Sequence, residues 1–231
     1  DSERGIELKT DTDFGIARST IDVLEKYRRV YEFGREWSED AYNKVEYSLA
    51  SLQHDMNQQE EWFSDIDRNI RYTYDAGFLQ VESRDFKESL LPITVKALTA
   101  MKDLLLRLFH SKCSELQTIY QSKIKQLEED PTTLKQFALH VEKFNTIRHE
   151  GNSLDQQEQE VEAMKKLLDQ YVVKIPSSDA VLFDDLRSST KAFGDQVVTT
   201  EQRVDRRMES MRQMVYKNIS RLNNDLTSCR D

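Results

Sequence analysis

The sequence predicts an all-α protein, an elongated bundle of four to five long antiparallel helices, and three observations lead to this prediction. Six Gly and three Pro among 231 residues leave little material for the turns that sandwiches, barrels and doubly wound sheets require. Hydrophobic residues make up 38% of the chain, which is enough to bury a core and argues against intrinsic disorder. These residues also recur three or four apart over long stretches, which is typical of amphipathic helices.

The N-terminal third predicts a lead-in and a first helical region. Residues 1–12 are polar without apolar periodicity, so we expect a flexible lead-in there. Residues 13–76 predict a first helical hairpin or one kinked long helix, with Gly34 and Ser38 marking the place where it breaks or kinks. This region ends near Gly77, which can adopt the left-handed conformation of a helix C-cap.

The clearest apolar stripe lies between Trp37 and Ile70 and predicts a single helix of about nine turns. Its members are Trp37, Ala41, Val45, Leu49, Leu52, Met56, Phe63, Ile66 and Ile70. Such a length exceeds that of an ordinary globular helix and suits a bundle or a coiled coil.

Residues 77–92 interrupt the helical period and predict an extended connecting strap. Apolar and polar residues alternate over 79–84, which indicates an extended stretch. The apolar residues of the segment should be buried against the flanking helices, and Ser83 or Asp85 should cap the short turn that follows. A mobile loop with one or two anchoring residues is the alternative.

Residues 93–231 are predicted to form a long-helix bundle with breaks near 129–132 and 174–178. Asp130 is a good N-cap, and Pro131 suits the first position of a helix. Pro176 follows a β-branched residue and precedes two serines, which marks a second boundary.

The sequence lacks the motifs of catalysis and of cofactor or metal binding. It contains no phosphate-binding loop, no H-E-x-x-H and no G-x-S-x-G. We expect the four histidines to be solvated or half-buried, and they are His54, His110, His140 and His149. Cys113 and Cys229 belong to no C-x-x-C pair, so two reduced thiols are favoured over a disulfide. The sequence therefore predicts no enzyme, no cofactor and no metal site in this chain.

The charge balance disfavours nucleic acid and membrane as partners. Asp and Glu number 42 against 33 Lys and Arg, which gives a net charge of −9 that repels phosphate backbones and anionic lipid. The most basic stretch spans 203–221 and interleaves with acidic residues, which favours a face laced by i,i+4 pairs over a site for an anionic partner. Its basic members are Arg203, Arg206, Arg207, Arg212, Lys217 and Arg221.

Several short segments of this sequence match, in the same order, segments that a known protein family carries. They are Gly77 to Arg84, Lys87, Leu90 to Pro92, Asp130 to Leu134, Tyr171, Ile175 with Pro176, Leu182 and Leu186. Together they resemble the tail of axonemal dynein heavy chains, in the region that precedes the linker. The resemblance covers most of the chain from about Trp37 onward. Glu82 stands where the family usually has Asp, and Thr190 stands where it often has Trp.

This resemblance implies a structural role. The chain would be a non-catalytic, stiff helical rod between the docking base of a ciliary motor and the motor's linker and ATPase ring, which would lie downstream. Its partners would be other dynein subunits (heavy, intermediate or light chains), and its location would be the cytoplasm, the cytoskeleton and the ciliary or flagellar axoneme. Its acidic character predicts no direct binding to the acidic microtubule lattice. The alternative is a helical-rod scaffold or tethering subunit, spectrin-like or of the vesicle-tether type.

Overall fold

The computed structural model describes residues 2–228, with side chains described over 9–221. The prediction of an all-α protein is confirmed, since 85% of the structure is helical. The helical elements are α1 (Ser2–Leu24), a 3-10 helix (Glu25–Tyr27), α2 (Arg28–Glu36), α3 (Glu39–Tyr42), α4 (Leu49–Asn69), α5 (Arg84–Glu128), α6 (Leu134–Gln170) and α7 (Ser177–Ser228). The strands β1 (Thr73–Ala76) and β2 (Leu79–Glu82) form an antiparallel pair between α4 and α5.

The N-terminal segment differs from its prediction. Over the described residues, 2–12 belong to α1 and do not form a flexible lead-in. This stretch contains one Gly and no Pro, so nothing in it interrupts the backbone hydrogen bonds of a helix. A helix therefore forms over 2–12 although the segment lacks the apolar periodicity on which the prediction depended.

The stripe between Trp37 and Ile70 is divided, contrary to the prediction of one helix. Trp37 and Ser38 are extended, and a second non-helical stretch follows α3 over 43–48. Helix α4 then begins after Ser48, whose side-chain oxygen accepts a hydrogen bond of 3.1 Å from the backbone N–H of Ser51. The N-cap serine therefore sets the start of the helix, since it satisfies a backbone donor that has no partner within the helix.

Gly34 lies within α2 and does not end it. A Cβ atom built on Gly34 would stand 2.4 Å from Cδ1 of Ile93 on α5. The absence of a side chain allows close packing of the two helices, and α2 continues to Glu36.

The connecting strap is shorter than predicted. Within 77–92 only the strand 79–82 is extended. Helix α5 already begins at Arg84 and includes Pro92. A helix tolerates this proline when the carbonyl that loses its donor can reach water, and Glu88, four residues earlier, is exposed.

The chain divides into two compact units, Asp1–Leu108 with Met164–Lys174, and Phe109–Ala163 with Ile175–Asp231. Non-helical stretches lie at 129–133 and 171–176. The first unit has a core cluster of Tyr27, Val30, Ile66, Ile70 and Leu90. The second has a cluster of Leu127, Phe144 and Ile147, against which Phe193 and Val197 pack.

Candidate functional site at the hairpin and its helices

The turn of the β-hairpin is attached to α1. Gly77 has a φ of 71°, a conformation that glycine adopts without steric cost. The backbone N–H of Phe78 donates a hydrogen bond of 3.2 Å to Oδ2 of Asp13. A Cβ atom on Gly77 would approach the Asp13 carboxylate to 2.0 Å, so glycine is needed both for the turn and for this contact.

Ser83 joins the hairpin to the start of α5. Its hydroxyl is buried and donates a hydrogen bond of 2.5 Å to the carbonyl of Arg71, and its N–H donates one of 2.9 Å to the carbonyl of Tyr72. The Ser83 carbonyl accepts from the N–H of Lys87 in the first turn of α5. Ser83 therefore stands at the predicted capping position before α5, where its carbonyl accepts the first helical hydrogen bond, whereas its hydroxyl bonds to the chain before β1 and not to the helix.

Lys87 connects α5 to the end of α4. Its side chain is 9% exposed, and its Nζ donates a hydrogen bond of 2.5 Å to the main-chain carbonyl of Asp67. The same atom lies 3.3 Å from Oδ1 of Asp67 and 5.4 Å from the centre of the Tyr72 ring. A nearly buried ammonium group requires such partners, and the C-terminal turn of a helix attracts positive charge.

The predicted burial of the apolar residues of this segment is only partly correct. Phe86 is half-buried and meets Tyr27 edge to face at 6.5 Å between ring centres. Leu79 and Val81 are half-buried, whereas Phe78 at the tip of the turn is 61% exposed. Polar contacts by Asp13 and Ser83 therefore help to hold the hairpin, together with these half-buried side chains.

The histidines do not come together in the structure. His54 and His149 are exposed, and Nδ1 of His110 lies 2.9 Å from Oδ1 of Asp179. His140 is buried, contrary to expectation, and neither of its ring nitrogens has a hydrogen-bond partner in the described part of the chain. Burial lowers the pKa of His140, and the positive charge of Arg203 lowers it further. Among the residues that the structure describes, no group of three His, Cys, Asp or Glu could hold a metal ion.

At its N-terminal end, the basic stretch on α7 contacts the end of α5 and the loop that follows it. Arg203 donates a hydrogen bond to the carbonyl of Leu127 at the end of α5, and the hydroxyl of Thr200 lies 3.4 Å from the same oxygen. These side chains satisfy a carbonyl that α5 itself cannot pair. Nη1 of Arg207 stands 3.6 Å from Oδ1 of Asp130. The predicted pattern of pairs within one helix thus gives way, at this end of the stretch, to contacts with α5 and the loop after it.

Cys113 is buried, and burial raises the pKa of its thiol to about 11. A thiol that stays protonated at neutral pH is a poor nucleophile and metal ligand. Cys229 lies outside the described residues.

Most of these contacts join one helix or strand to another, so their effect is to hold the helices in position. Within 2–228, the secondary structure is helices and one two-stranded hairpin, without the parallel strand–loop–helix unit of a phosphate-binding loop. None of the described helices is sufficiently long and apolar to cross a membrane. The contacts of Asp67 and Leu127 have no signal in the sequence, because both residues use main-chain oxygens.

Comparison with known proteins finds a distant relative but no matching family model. No family model matches the chain. Over 160 residues, or 68% of its length, the chain is 25% identical to human dynein axonemal heavy chain 6. The chain is similar to part of a dynein heavy chain. The matched part is 4% of that protein, so the chain spans only a small fraction of the length of this relative.

Proposed function

We propose that the chain is a non-catalytic structural segment of the tail of an axonemal dynein heavy chain. In this role it connects the assembly and docking base of the motor to its linker and ATPase ring, and it packs against neighbouring heavy, intermediate or light chains. The observation that carries the proposal is the similarity to human dynein axonemal heavy chain 6 over 160 residues.

The contacts of the hairpin support a mechanical role. Force transmitted along a helix is lost where the chain can bend freely, and the junction between α4 and α5 is such a place. Here the hairpin is attached to α1 through Asp13, and α5 is attached to α4 through Lys87. Close packing of Gly34 against Ile93 adds a third point of attachment, since bending would have to open packed side chains.

The test is to find the polypeptide that carries this segment and the place where it resides. An antibody raised against the 231-residue chain should label the axonemes of ciliated cells. It should also recognise, in axonemal extracts, a polypeptide many times longer than this chain that sediments with dynein subunits. Labelling of vesicles, or a short parent polypeptide without ATPase modules downstream, would contradict the proposal and favour a tethering subunit.

We further propose that the segment itself binds no nucleotide, nucleic acid, membrane or microtubule. Co-pelleting of the isolated chain with microtubules, measured at low and moderate salt, tests the part of this proposal that matters most for a motor. Salt-sensitive co-pelleting would show that the segment is itself a microtubule-binding element.

A further inference from the structure

Three side chains of α7 hold this helix to the end of α5 and to the turn that follows it, 129–133. The guanidinium group of Arg203 donates a hydrogen bond to the main-chain carbonyl of Leu127, and the hydroxyl of Thr200 lies 3.4 Å from the same oxygen. One helical turn further along, Nη1 of Arg207 stands 3.6 Å from Oδ1 of Asp130. These contacts together make up the α7 clamp. Because they connect α7 to both the helix end and the turn, their loss would free this stretch of α7.

His140 of α6 is buried close to the α7 clamp. It is 4% exposed, and its two ring nitrogens have no hydrogen-bond partner within the ranges that the structure describes. Arg203 lies near enough for its positive charge to oppose protonation of the ring. A buried neutral imidazole without partners costs some free energy, but a buried imidazolium without a partner costs far more. The clamped arrangement therefore favours the neutral ring.

Charged groups of three elements act on this ring. Burial opposes its protonation most strongly, and the positive charges of Arg203 on α7 and Lys143 on α6 oppose it further. Glu129 and Asp130 of the turn favour protonation, but less strongly, so the pKa of His140 lies below its ordinary value. Both carboxylates have cationic partners already, since Oε2 of Glu129 lies 3.0 Å from Nζ of Lys143 and Asp130 belongs to the α7 clamp. A proton on His140 would therefore compete with the cations that now hold these carboxylates.

His140 also lines an open groove of about 750 Å³ along the turn between α5 and α6. Glu129, Asp130 and Lys143 line the same groove, so carboxylates and water can meet the ring once it turns to this side. A positively charged ring would be drawn toward the groove and away from Arg203. The carboxylate of Asp130 would then leave the α7 clamp for the imidazolium.

We propose that His140 is a pH-sensitive release for the α7 clamp: its protonated ring repels Arg203, attracts the carboxylates of the turn and frees α7 from the end of α5. The release goes beyond the proposed structural role in a dynein tail and depends only on contacts within the second unit. With the clamp open, water reaches the ring, which then takes up a proton more readily than the buried ring does. Acid therefore favours the open clamp, whereas above about pH 6.5 the ring is neutral in both arrangements and the clamp stays closed.

Hydrogen exchange of the 231-residue chain at pH 7.5 and at pH 5.5 tests this proposal. The protection factor, which is the intrinsic exchange rate divided by the measured rate, removes the direct effect of pH on exchange. For the amides of 197–211 we expect this factor to be about threefold to tenfold lower at pH 5.5 than at pH 7.5. The amides of 180–190, earlier on α7, should change less. An equal fall along the whole of α7, or no fall over 197–211, would overturn the proposal.

Two histidine variants show whether this fall depends on His140. His140→Leu removes the titrating ring, so the protection factors of 197–211 should become independent of pH between these two values. The matched control is His149→Leu, because His149 is an exposed histidine of the same helix, and its fall should equal that of the parent. A fall that persists in His140→Leu, or that disappears in His149→Leu, would overturn the proposal.

Removal of the Arg203 charge tests the repulsion on which the release depends. Arg203→Gln keeps an N–H donor for the carbonyl of Leu127 but has no positive charge. Whatever the protection of this variant at pH 7.5, the ratio between its factors at the two pH values should be smaller than in the parent. An unchanged ratio would overturn the proposal, since the charge on His140 would then not act on α7 through Arg203.

Discussion

The hydroxyl of Tyr171 donates a hydrogen bond of 2.5 Å to Oδ1 of Asn57, although 114 residues separate the two along the chain. The main-chain carbonyl of Tyr171 accepts a second bond of 3.1 Å from Nζ of Lys102. One buried residue just after α6 thus contacts both α4 and α5 within the first unit. Met164–Lys174 belongs to the first unit although Phe109–Ala163 does not, and specific polar contacts of Tyr171 hold this segment in place.

Loss of the Tyr171 hydroxyl should destabilise the protein. Tyr171→Phe keeps the ring but leaves Asn57 without its donor, which should cost about 1–2 kcal/mol in the free energy of unfolding. Urea unfolding followed by circular dichroism measures this cost. Tyr216→Phe is the control, since Tyr216 is 66% exposed and its replacement should leave the midpoint unchanged. Equal midpoints for both variants would show that the hydrogen bond adds nothing.

Gly34 should not tolerate a methyl group. A Cβ atom would stand 2.4–2.8 Å from three carbons of Ile93, so Gly34→Ala should lower stability by about 1–3 kcal/mol in spite of the better helix propensity of alanine. Gly151→Ala is the matched control in α6, where a Cβ would meet nothing within 4 Å. That variant should be neutral or more stable by up to about 1 kcal/mol. Thermal unfolding of both variants distinguishes close packing from simple propensity.

Removal of the Lys87 charge should loosen the junction of α4 and α5. Lys87→Met retains the aliphatic stem but leaves the Asp67 carbonyl without its side-chain donor, which should cost about 1–3 kcal/mol. Lys96→Met changes an exposed lysine of the same helix and should have little effect. Hydrogen exchange should also show faster exchange at the end of α4 in Lys87→Met only. A variant as stable as the parent would mean that the ammonium group gains no more from Asp67 than from water.

Acid should destabilise the protein partly through His140. Burial lowers the pKa of this histidine below its usual 6.5, and the nearby Arg203 lowers it further, which outweighs the opposing charges of Glu129 and Asp130. Between the lowered pKa and 6.5 the unfolded chain binds more protons than the folded chain. The stability that His140 contributes is therefore complete above about pH 6.5 and declines as the pH falls through the folded pKa.

The replacement His140→Leu removes this titration and leaves no unpaired ring nitrogen. The free energy of unfolding, measured from pH 8 to pH 5, should fall less steeply in the variant than in the parent. At pH 8 the variant should be at least as stable, because the buried imidazole has no hydrogen-bond partner to lose. Parallel pH profiles for the two proteins would refute a neutral buried His140.

The helical class and the two breaks that follow α5 and α6 could be predicted from the sequence alone. Scarcity of Gly and Pro and the spacing of apolar residues are local properties, and local properties decide whether a helix forms. The same patterns predicted an extended stretch at 79–84, of which 79–82 is strand β2, because alternation of apolar and polar residues is a property of the strand itself.

Contacts between distant segments set which residues hold the helices together. The contact of Lys87 with a main-chain carbonyl of α4 leaves no trace in composition or spacing, and neither does the bond from Arg203 to Leu127. Gly34 looks like a helix breaker in sequence and proves to be a point of close packing, because Ile93 comes from an element 59 positions away. Periodicity records which face of a helix is apolar, whereas the identity of the neighbour on that face is set only when distant segments meet.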